Sequence, residues 1–240
     1  NYRRITVQVK TIPKTGEIIL IGNNGIMLTV KRFIFNPVRE NTYVVYDTKD
    51  ACCIIDPGCY FPEERENLEA WLKEQGLVPK LLLNTHCHLD HVFGNKWVAE
   101  KYGLLLQIGE KEGWTLDYAP QWGDIWGLPF ENYAGEIRYL KEGDHVKLGT
   151  DKLEVLFTPG HSIGHLAFYS RQQGFVIGGD VLFREGIGRT DIPGGDTATL
   201  LKSIREKLFT LPDEVIVYPG HGEPTSIGYE KKFNPFVRPE

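Results

Sequence analysis

NTHCHLDHVFG, the stretch at residues 84–94, holds three of the chain's seven histidines and one aspartate within six positions. His86 and His88 are two residues apart, so in an extended segment their side chains project to the same side and can bind one ion. Asp90 and His91 follow where the chain turns toward a predicted helix, so they can point to a second position. Because imidazole is the commonest side-chain metal ligand, this spacing predicts a metal site.

Three further candidate ligands stand at the ends of predicted strands. The apolar run at 80–84 predicts a buried strand, and the histidine cluster follows it directly. The other strands and the side chains that follow them are 152–157 with His161, 174–179 with Asp180, and 214–219 with His221. Sites are commonly built on loops held by a rigid scaffold, so these side chains are predicted to converge on the 86–91 cluster.

The predicted ligand set contains five imidazoles and two carboxylates but no thiolate. Such ligands suit zinc, iron or manganese, and the absence of thiolate argues against a purely structural zinc site. Asp180 has two carboxylate oxygens and can bridge two ions. Two ions about 3.5–4 Å apart can hold a bridging hydroxide at neutral pH, and Asp90 can orient it and hold its proton. We therefore predict two divalent ions, with zinc the first choice, and catalytic roles for Asp90 and Asp180.

Regular patterns elsewhere predict a layered α/β fold. An alternating run at 28–35 and an apolar run at 51–55 are typical of strands. Pro62 is expected to begin a helix that has glutamates in its first turn, and Asp196 is expected to cap another. Strands alternate with helices but also run in hairpin-like pairs. The pattern therefore indicates an αββα sandwich of two mixed sheets with helices outside.

The chain is predicted to form one domain, residues 27–240. Its only methionine is Met27, so residues 1–26 are interpreted as a leader or an extra hairpin, and no chemistry is assigned to them. The domain is long enough, within 240 residues, to bury a sizeable core.

Composition and charge favour a soluble cytoplasmic protein. Hydrophobic residues make up 41% of the chain and charged residues 25%, and the net charge of −5 offers little attraction to nucleic acid or an anionic membrane. Neither a membrane-spanning run nor a signal peptide is apparent. The four cysteines match neither a disulfide framework nor a zinc site, so reduced thiols are expected. Cys87 is expected to point away from its histidine neighbours.

Two histidines and an aromatic segment are interpreted separately. His145 and His165 are predicted to be ordinary surface or core residues, although His165 is also a candidate support for the metal ligands. Residues 114–133 are predicted to form a loop that carries three of the five tryptophans. Either this loop is a wall beside the metals, with Trp122 and Trp126 as substrate contacts, or it packs in the core or a homodimer interface.

The series of motifs resembles that of the metallo-β-lactamase superfamily. The matching segments are IIDPG at 54–58, THCHLDH at 85–91, TPGHSIGH at 158–165, IGGD at 177–180 and YPGHG at 218–222. The resemblance implies an αββα sandwich with the metals at one edge. It assigns His86, His88 and His161 to a first metal and Asp90, His91 and His221 to a second. It also implies that Asp180 bridges the two metals and that Asp56 supports the ligands.

Within the superfamily, residues 179–196 and 219–236 resemble the compact glyoxalase II-like group. These proteins are similar to hydroxyacylglutathione hydrolases, so the resemblance implies hydrolysis of a small-molecule thioester such as S-lactoylglutathione. Arg189 lies where the group places a basic glutathione contact, but the tyrosine expected two positions later is Asp191. The chain ends at residue 240, so the helical extension of full-length glyoxalase II is not expected.

Other activities of the superfamily define the alternatives. A persulfide dioxygenase would use one iron held by two histidines and an aspartate, whereas ligands for a second metal are present here. A lactonase would use the same nucleophile as a thioesterase. The acidic net charge argues against a nuclease, and a β-lactamase is expected to be exported and to lack aspartate at the bridging position. A non-catalytic metal-binding scaffold is the remaining alternative.

Overall fold

Two mixed β-sheets, packed face to face and covered by helices, form the structure, as the sequence predicts. This computed structural model describes residues 8–11, 18–21, 28–47, 51–149 and 151–237. Among the described residues, no helix has both the length and the apolar character that crossing a membrane requires.

The first sheet has eight described strands, which lie side by side in chain order. They are β1 (Gln8–Thr11), β2 (Ile18–Ile21), β3 (Thr29–Phe35), β4 (Glu40–Tyr46), β5 (Ala51–Ile55), β6 (Val78–Leu83), β7 (Leu106–Gly109) and β8 (Ile137–Leu140). Strands β1 to β5 pair antiparallel, and β5 to β8 pair parallel. The parallel half therefore brings the carboxyl end of β6 to the same edge as those of β5 and β7.

The second sheet has six described strands in the order β16-β15-β12-β11-β10-β9. They are β9 (His145–Leu148), β10 (Asp151–Phe157), β11 (Leu166–Ser170), β12 (Phe175–Gly179), β15 (Ile216–Pro219) and β16 (Thr225–Ser226). A short ribbon of β13 (Leu182–Phe183) and β14 (Gly186–Ile187) stands apart from both sheets. Strands β12 and β15 are parallel neighbours, so the side chains that follow them emerge together.

The described helices cover the two outer faces. They are α1 (Pro62–Glu74), α2 (Leu89–Val92), α3 (Asn95–Tyr102), α4 (Glu112–Trp126), α5 (Thr197–Ser203), which continues as a π-helix (Ile204–Leu208), and α6 (Ile227–Phe233). Helix α5 begins as predicted, because the Asp196 carboxylate accepts a hydrogen bond from the Thr199 amide.

Strand periodicity divides the core into layers. In β4, Tyr43 and Val45 face the space between the sheets, whereas Val44 faces the helices of the first sheet. Cys53 in β5 likewise faces the second sheet, and its neighbours face outward. A third apolar cluster joins the outer face of the second sheet to α5 and α6. This alternation is the period-two pattern of strands that are buried on both faces.

The prediction of a loop at 114–133 is wrong over most of its length. Helix α4 runs through Trp126 and ends at Gly127, which adopts a left-handed conformation. Gly113, Pro120 and Gly123 interrupt the sequence pattern of this helix, which is why periodicity did not reveal it. Its buried side chains hold it against the first sheet, so tertiary packing outweighs the poor helix propensity.

Candidate metal centre

The seven predicted ligands meet at one edge of the sandwich, in the loops that follow β6, β10, β12 and β15. Among the described residues, three groups of three side chains present donor atoms within 4.8 Å of one another, and one of them, Asp56 with His86 and His91, overlaps the other two groups. The first group comprises His86, His88 and His161, and the second comprises Asp90, His91 and His221. The first and second groups contain the side chains that the resemblance assigns to two separate metals, and their role as ligands stays a prediction.

In the first group, imidazole nitrogens face one another. His161 Nε2 lies 2.8 Å from His88 Nδ1 and 3.2 Å from His86 Nε2. Burial lowers the pKa of His88 to about 3 and lowers the pKa of His86 and His161 in the same direction. These imidazoles are therefore neutral at neutral pH, which is the form that binds a metal. Neutral ring nitrogens that converge in this way fit a cation between them.

In the second group, one carboxylate lies close to two imidazoles. Asp90 Oδ2 lies 3.0 Å from His221 Nε2 and 3.5 Å from His91 Nε2. His91 is buried, and its Nε2 atom has no hydrogen-bond partner among the described residues. An unpartnered ring nitrogen in a buried position is costly unless a cation or water occupies it, so this group also fits a metal.

Asp180 lies between the two groups. Its Oδ1 atom is 3.6 Å from His91 Nε2, and its Oδ2 atom is 3.6 Å from both His161 Nε2 and His221 Nε2. Oδ1 is buried and without a hydrogen-bond partner in the described part of the chain. Burial alone would raise the pKa of Asp180, but the surrounding histidines hold it well below its usual range. The charged carboxylate of Asp180 is therefore placed to bind a cation in either ligand group.

Asp56 supports the second group from behind. Its carboxylate accepts hydrogen bonds from the Thr85 amide at 2.7 Å, the Thr85 hydroxyl at 2.6 Å and the Asn84 side-chain amide at 3.2 Å. Asp56 Oδ2 also lies 3.1 Å from His91 Nδ1, and such an arrangement fixes the tautomer that presents Nε2 to a metal. With both oxygens engaged in hydrogen bonds, Asp56 is placed to hold His91 and the end of β6 in position.

His165 belongs to the support as well, which the sequence indicated only as an alternative. It is fully buried, and its Nε2 atom accepts a hydrogen bond from the Asp180 amide at 3.1 Å. Its Nδ1–H therefore donates to the Thr158 hydroxyl at 2.9 Å. The ring also stacks on His86 at a centroid distance of 5.0 Å. His145, by contrast, is exposed on β9, as expected of an ordinary residue.

Two glycines allow the strand ends to approach the ligands. Gly179 has a φ of +52°, and a Cβ there would lie 2.4 Å from the Thr85 hydroxyl. A Cβ at Gly220 would lie 2.0 Å from Asp180 Oδ1. Side chains at these positions would displace ligands or their supports.

Glu112, at the start of α4, is a functional candidate that the sequence analysis missed. It is fully buried, and its carboxylate accepts hydrogen bonds from the Cys87 amide at 2.8 Å, the Gly164 amide at 2.8 Å and the Ser162 hydroxyl. It thereby ties the loop of His86 and His88 to the loop of His161. Burial raises the pKa of Glu112, whereas these hydrogen bonds favour its charged form.

Glu112→Gln is expected to lower both stability and metal affinity. The amide group that replaces one oxygen would face a donor, which leaves a buried N–H unpaired at a cost of about 1–3 kcal/mol in the free energy of unfolding. Thermal unfolding and metal titration measure the two effects. Glu110→Gln is the matched control, since Glu110 is exposed two residues away. Equal behaviour of the two variants would show that Glu112 does not tie the loops together.

Cys87 is oriented away from the ligands, as the alternation predicts. It is fully buried in the apolar cluster between the first sheet and its helices, where burial raises the pKa of its thiol well above the usual range. All four cysteines are buried and unpaired.

A cavity of about 390 Å³ opens onto both groups of ligands. His88, Asp90, Asp180 and other candidate ligands form one side of it. Trp122 and Trp126, which are in α4, and Arg189 are the predicted substrate contacts, and all three line the cavity. The cavity thus brings the predicted contacts and the ligands to one space.

An αββα sandwich with these histidines and aspartates at its strand ends defines a metal-dependent hydrolase. The chain belongs to the metallo-β-lactamase superfamily, whose family model matches residues 35–221. The resemblance noted in the sequence is therefore confirmed.

Comparison with known proteins supports the glyoxalase II-like group. The chain is 38% identical over 201 residues to hydroxyacylglutathione hydrolase GloC of Haemophilus influenzae, which covers 83% of this chain and 93% of that protein. The crystal structure of TTHA1623 in a di-iron-bound form matches with a TM-score of 0.79 and 37% identity, covering 86% of this chain and 100% of that one. The crystal structure of BLEG-1 B3 metallo-β-lactamase matches with a TM-score of 0.80 and 35% identity, covering 87% and 99%.

Proposed function

We propose that the protein is a two-metal hydrolase that cleaves thioesters. The observation that carries the proposal is the position of Asp180, whose carboxylate lies 3.6 Å from ring nitrogens of both ligand groups. One ion would be held by His86, His88 and His161, and a second by Asp90, His91 and His221, with Asp180 between them. Zinc is the first choice of metal, and the di-iron form of TTHA1623 keeps iron a close second.

A pair of divalent ions in such a site supplies a water-derived nucleophile at neutral pH and polarises a carbonyl oxygen. Asp90 lines the cavity, where its carboxylate would orient the attacking water and accept its proton. Asp56 and His165 keep His91 and Asp180 oriented through the hydrogen bonds described above. A thiolate leaves readily, because the pKa of its conjugate acid is about 8.5.

The comparisons support the thioester class. The relative GloC is named a hydroxyacylglutathione hydrolase, and the match covers most of both chains. Residues that distinguish a thioesterase from a lactonase are not evident in the centre, since both reactions use the same nucleophile. The cytoplasmic location and the homodimer stay predictions from the sequence.

Protein reconstituted with zinc, iron or manganese is expected to hydrolyse thioesters with a kcat/KM at least about tenfold above that for lactones or the β-lactam nitrocefin. Release of free thiol and opening of the lactam measure these rates. Nitrocefin is included because of the similarity to BLEG-1. A faster rate on lactone or nitrocefin would contradict the proposal.

The persulfide dioxygenase alternative requires a single iron. The second group, with Asp90 and His221 3.0 Å apart, argues against it. Oxygen consumption by the iron-loaded protein with glutathione persulfide, without thioester hydrolysis, would favour the dioxygenase.

A further inference from the structure

We infer that the centre acts on thioesters whose acyl group is apolar and bulky, and that hydroxyacyl-glutathione is a poor substrate. The inference rests on the proposed function and adds a substrate class to it. It is carried by the walls of the cavity, which are separate from the metal ligands.

The first wall is an aromatic stripe on α4. Trp114, Tyr118, Trp122 and Trp126 are spaced four residues apart, so they lie on one face of the helix. All four line the cavity, and their exposed fractions are 46%, 44%, 37% and 48%. Large aromatic side chains left this open, in a row and beside a catalytic centre, are typical of a surface that binds an apolar group.

The second wall is also apolar. Phe183, Ile187, Ile192 and Pro193 also line the cavity. The Phe183 ring lies 6.3 Å from the His221 ring, so apolar surface extends up to the ligands. A group attached to the reacting carbonyl would therefore lie between aromatic and aliphatic side chains.

The charge in the cavity does not suit glutathione. Among the described lining residues, Arg189 is the only lysine or arginine. Its Nε and Nη2 atoms donate to the two carboxylate oxygens of Asp191 at 2.8 and 2.9 Å. The carboxylates at the ends of glutathione would compete with Asp191 for this cation. An uncharged substrate meets no such competition.

The test uses thioesters that share one uncharged thiol, N-acetylcysteamine, with acetyl, lactoyl or phenylacetyl as the acyl group, together with S-lactoylglutathione. The kcat/KM of the phenylacetyl thioester is expected to exceed those of the lactoyl thioester and of S-lactoylglutathione by at least about tenfold, since added apolar groups in such pockets are worth 10–200-fold. Equal rates, or preference for either lactoyl substrate, would overturn the inference.

Trp122→Ala is expected to raise the Michaelis constant for the phenylacetyl thioester severalfold and to leave that for the acetyl thioester nearly unchanged. Ile125→Ala is the matched control, because Ile125 is on the same helix, is 70% exposed and does not line the cavity. Unchanged kinetics in the Trp122 variant, with loss of a dimer in sedimentation, would assign the stripe to an interface and overturn the inference.

A binding measurement separates this inference from the proposed function. Three of the five tryptophans line the cavity, so titration with the phenethyl thioether of N-acetylcysteamine, in which a methylene group replaces the thioester carbonyl, is expected to change the intrinsic fluorescence. Trp122→Ala should reduce the response and Ile125→Ala should not. Binding of the thioether without hydrolysis of any thioester would contradict the proposed reaction but would support the apolar binding site. Hydrolysis of thioesters without acyl preference, and without a fluorescence response, would support the proposed reaction but would contradict the apolar binding site.

Discussion

Asp180→Asn is expected to lower kcat/KM by at least about a hundredfold and to weaken metal retention, because even residues behind a ligand typically contribute 10–100-fold. Asparagine keeps the shape of the side chain but removes its negative charge and replaces one oxygen with an NH2 group, which cannot bind a cation. Ring nitrogens of the two ligand groups lie 3.6 Å from different oxygens of this carboxylate, so the substitution removes one of the two oxygens that could bridge the ions. Steady-state kinetics and metal analysis of the purified variant measure the two losses.

Asp213→Asn is the control, since it removes the same charge from an exposed carboxylate paired with Lys231. Addition of excess metal is not expected to restore the Asp180 variant, because the lost oxygen is itself a predicted ligand. Full activity of Asp180→Asn at normal metal content would show that this carboxylate does not connect the two groups.

Asp56→Asn is expected to lower metal affinity about 10–100-fold and the free energy of unfolding by about 1–3 kcal/mol. The backbone at Asp56 has a φ of +51°, which asparagine tolerates, so the change acts through the side chain. Both carboxylate oxygens accept hydrogen bonds, and an amide accepts at only one of the two positions, so either the bonds to Oδ1 from Thr85 and Asn84 or those to Oδ2 from Thr85 and His91 would be lost. Competition with a chelating dye and chemical denaturation measure the two quantities.

Addition of excess metal distinguishes Asp56, which supports a ligand, from Asp180, which is itself a predicted ligand. It is expected to restore most activity of Asp56→Asn, because the seven predicted ligands remain in that variant. Asp213→Asn again serves as the control. Wild-type metal affinity in Asp56→Asn would contradict the role of Asp56 in orienting His91.

The layers of the fold could be predicted because their patterns are local. Strand β5 has the predicted residues, β12 begins one residue later than predicted, and α1 begins at Pro62 as expected. Helix α4 could not be predicted in this way, because Gly113, Pro120 and Gly123 lower its intrinsic helix propensity. The four-residue spacing from Trp114 to Trp126 was the available indication, and it was visible in the sequence.

The grouping of the candidate ligands followed from their positions after strands, but their supports did not. Glu112 stands next to Glu110 and Lys111, where a charged residue usually lies on the surface. Its burial results from contacts with Cys87 and Ser162, which are distant in the sequence. His165 is similar, because its contact with the Asp180 amide depends on how the second sheet pairs.

The most direct test of the central claim is the metal content of wild-type protein purified without chelator and then dialysed against zinc at low concentration. Elemental analysis is expected to find about two ions per chain, the number that a two-metal centre holds, and fewer in Asp180→Asn. A stoichiometry of one or none in active wild-type protein would contradict the account.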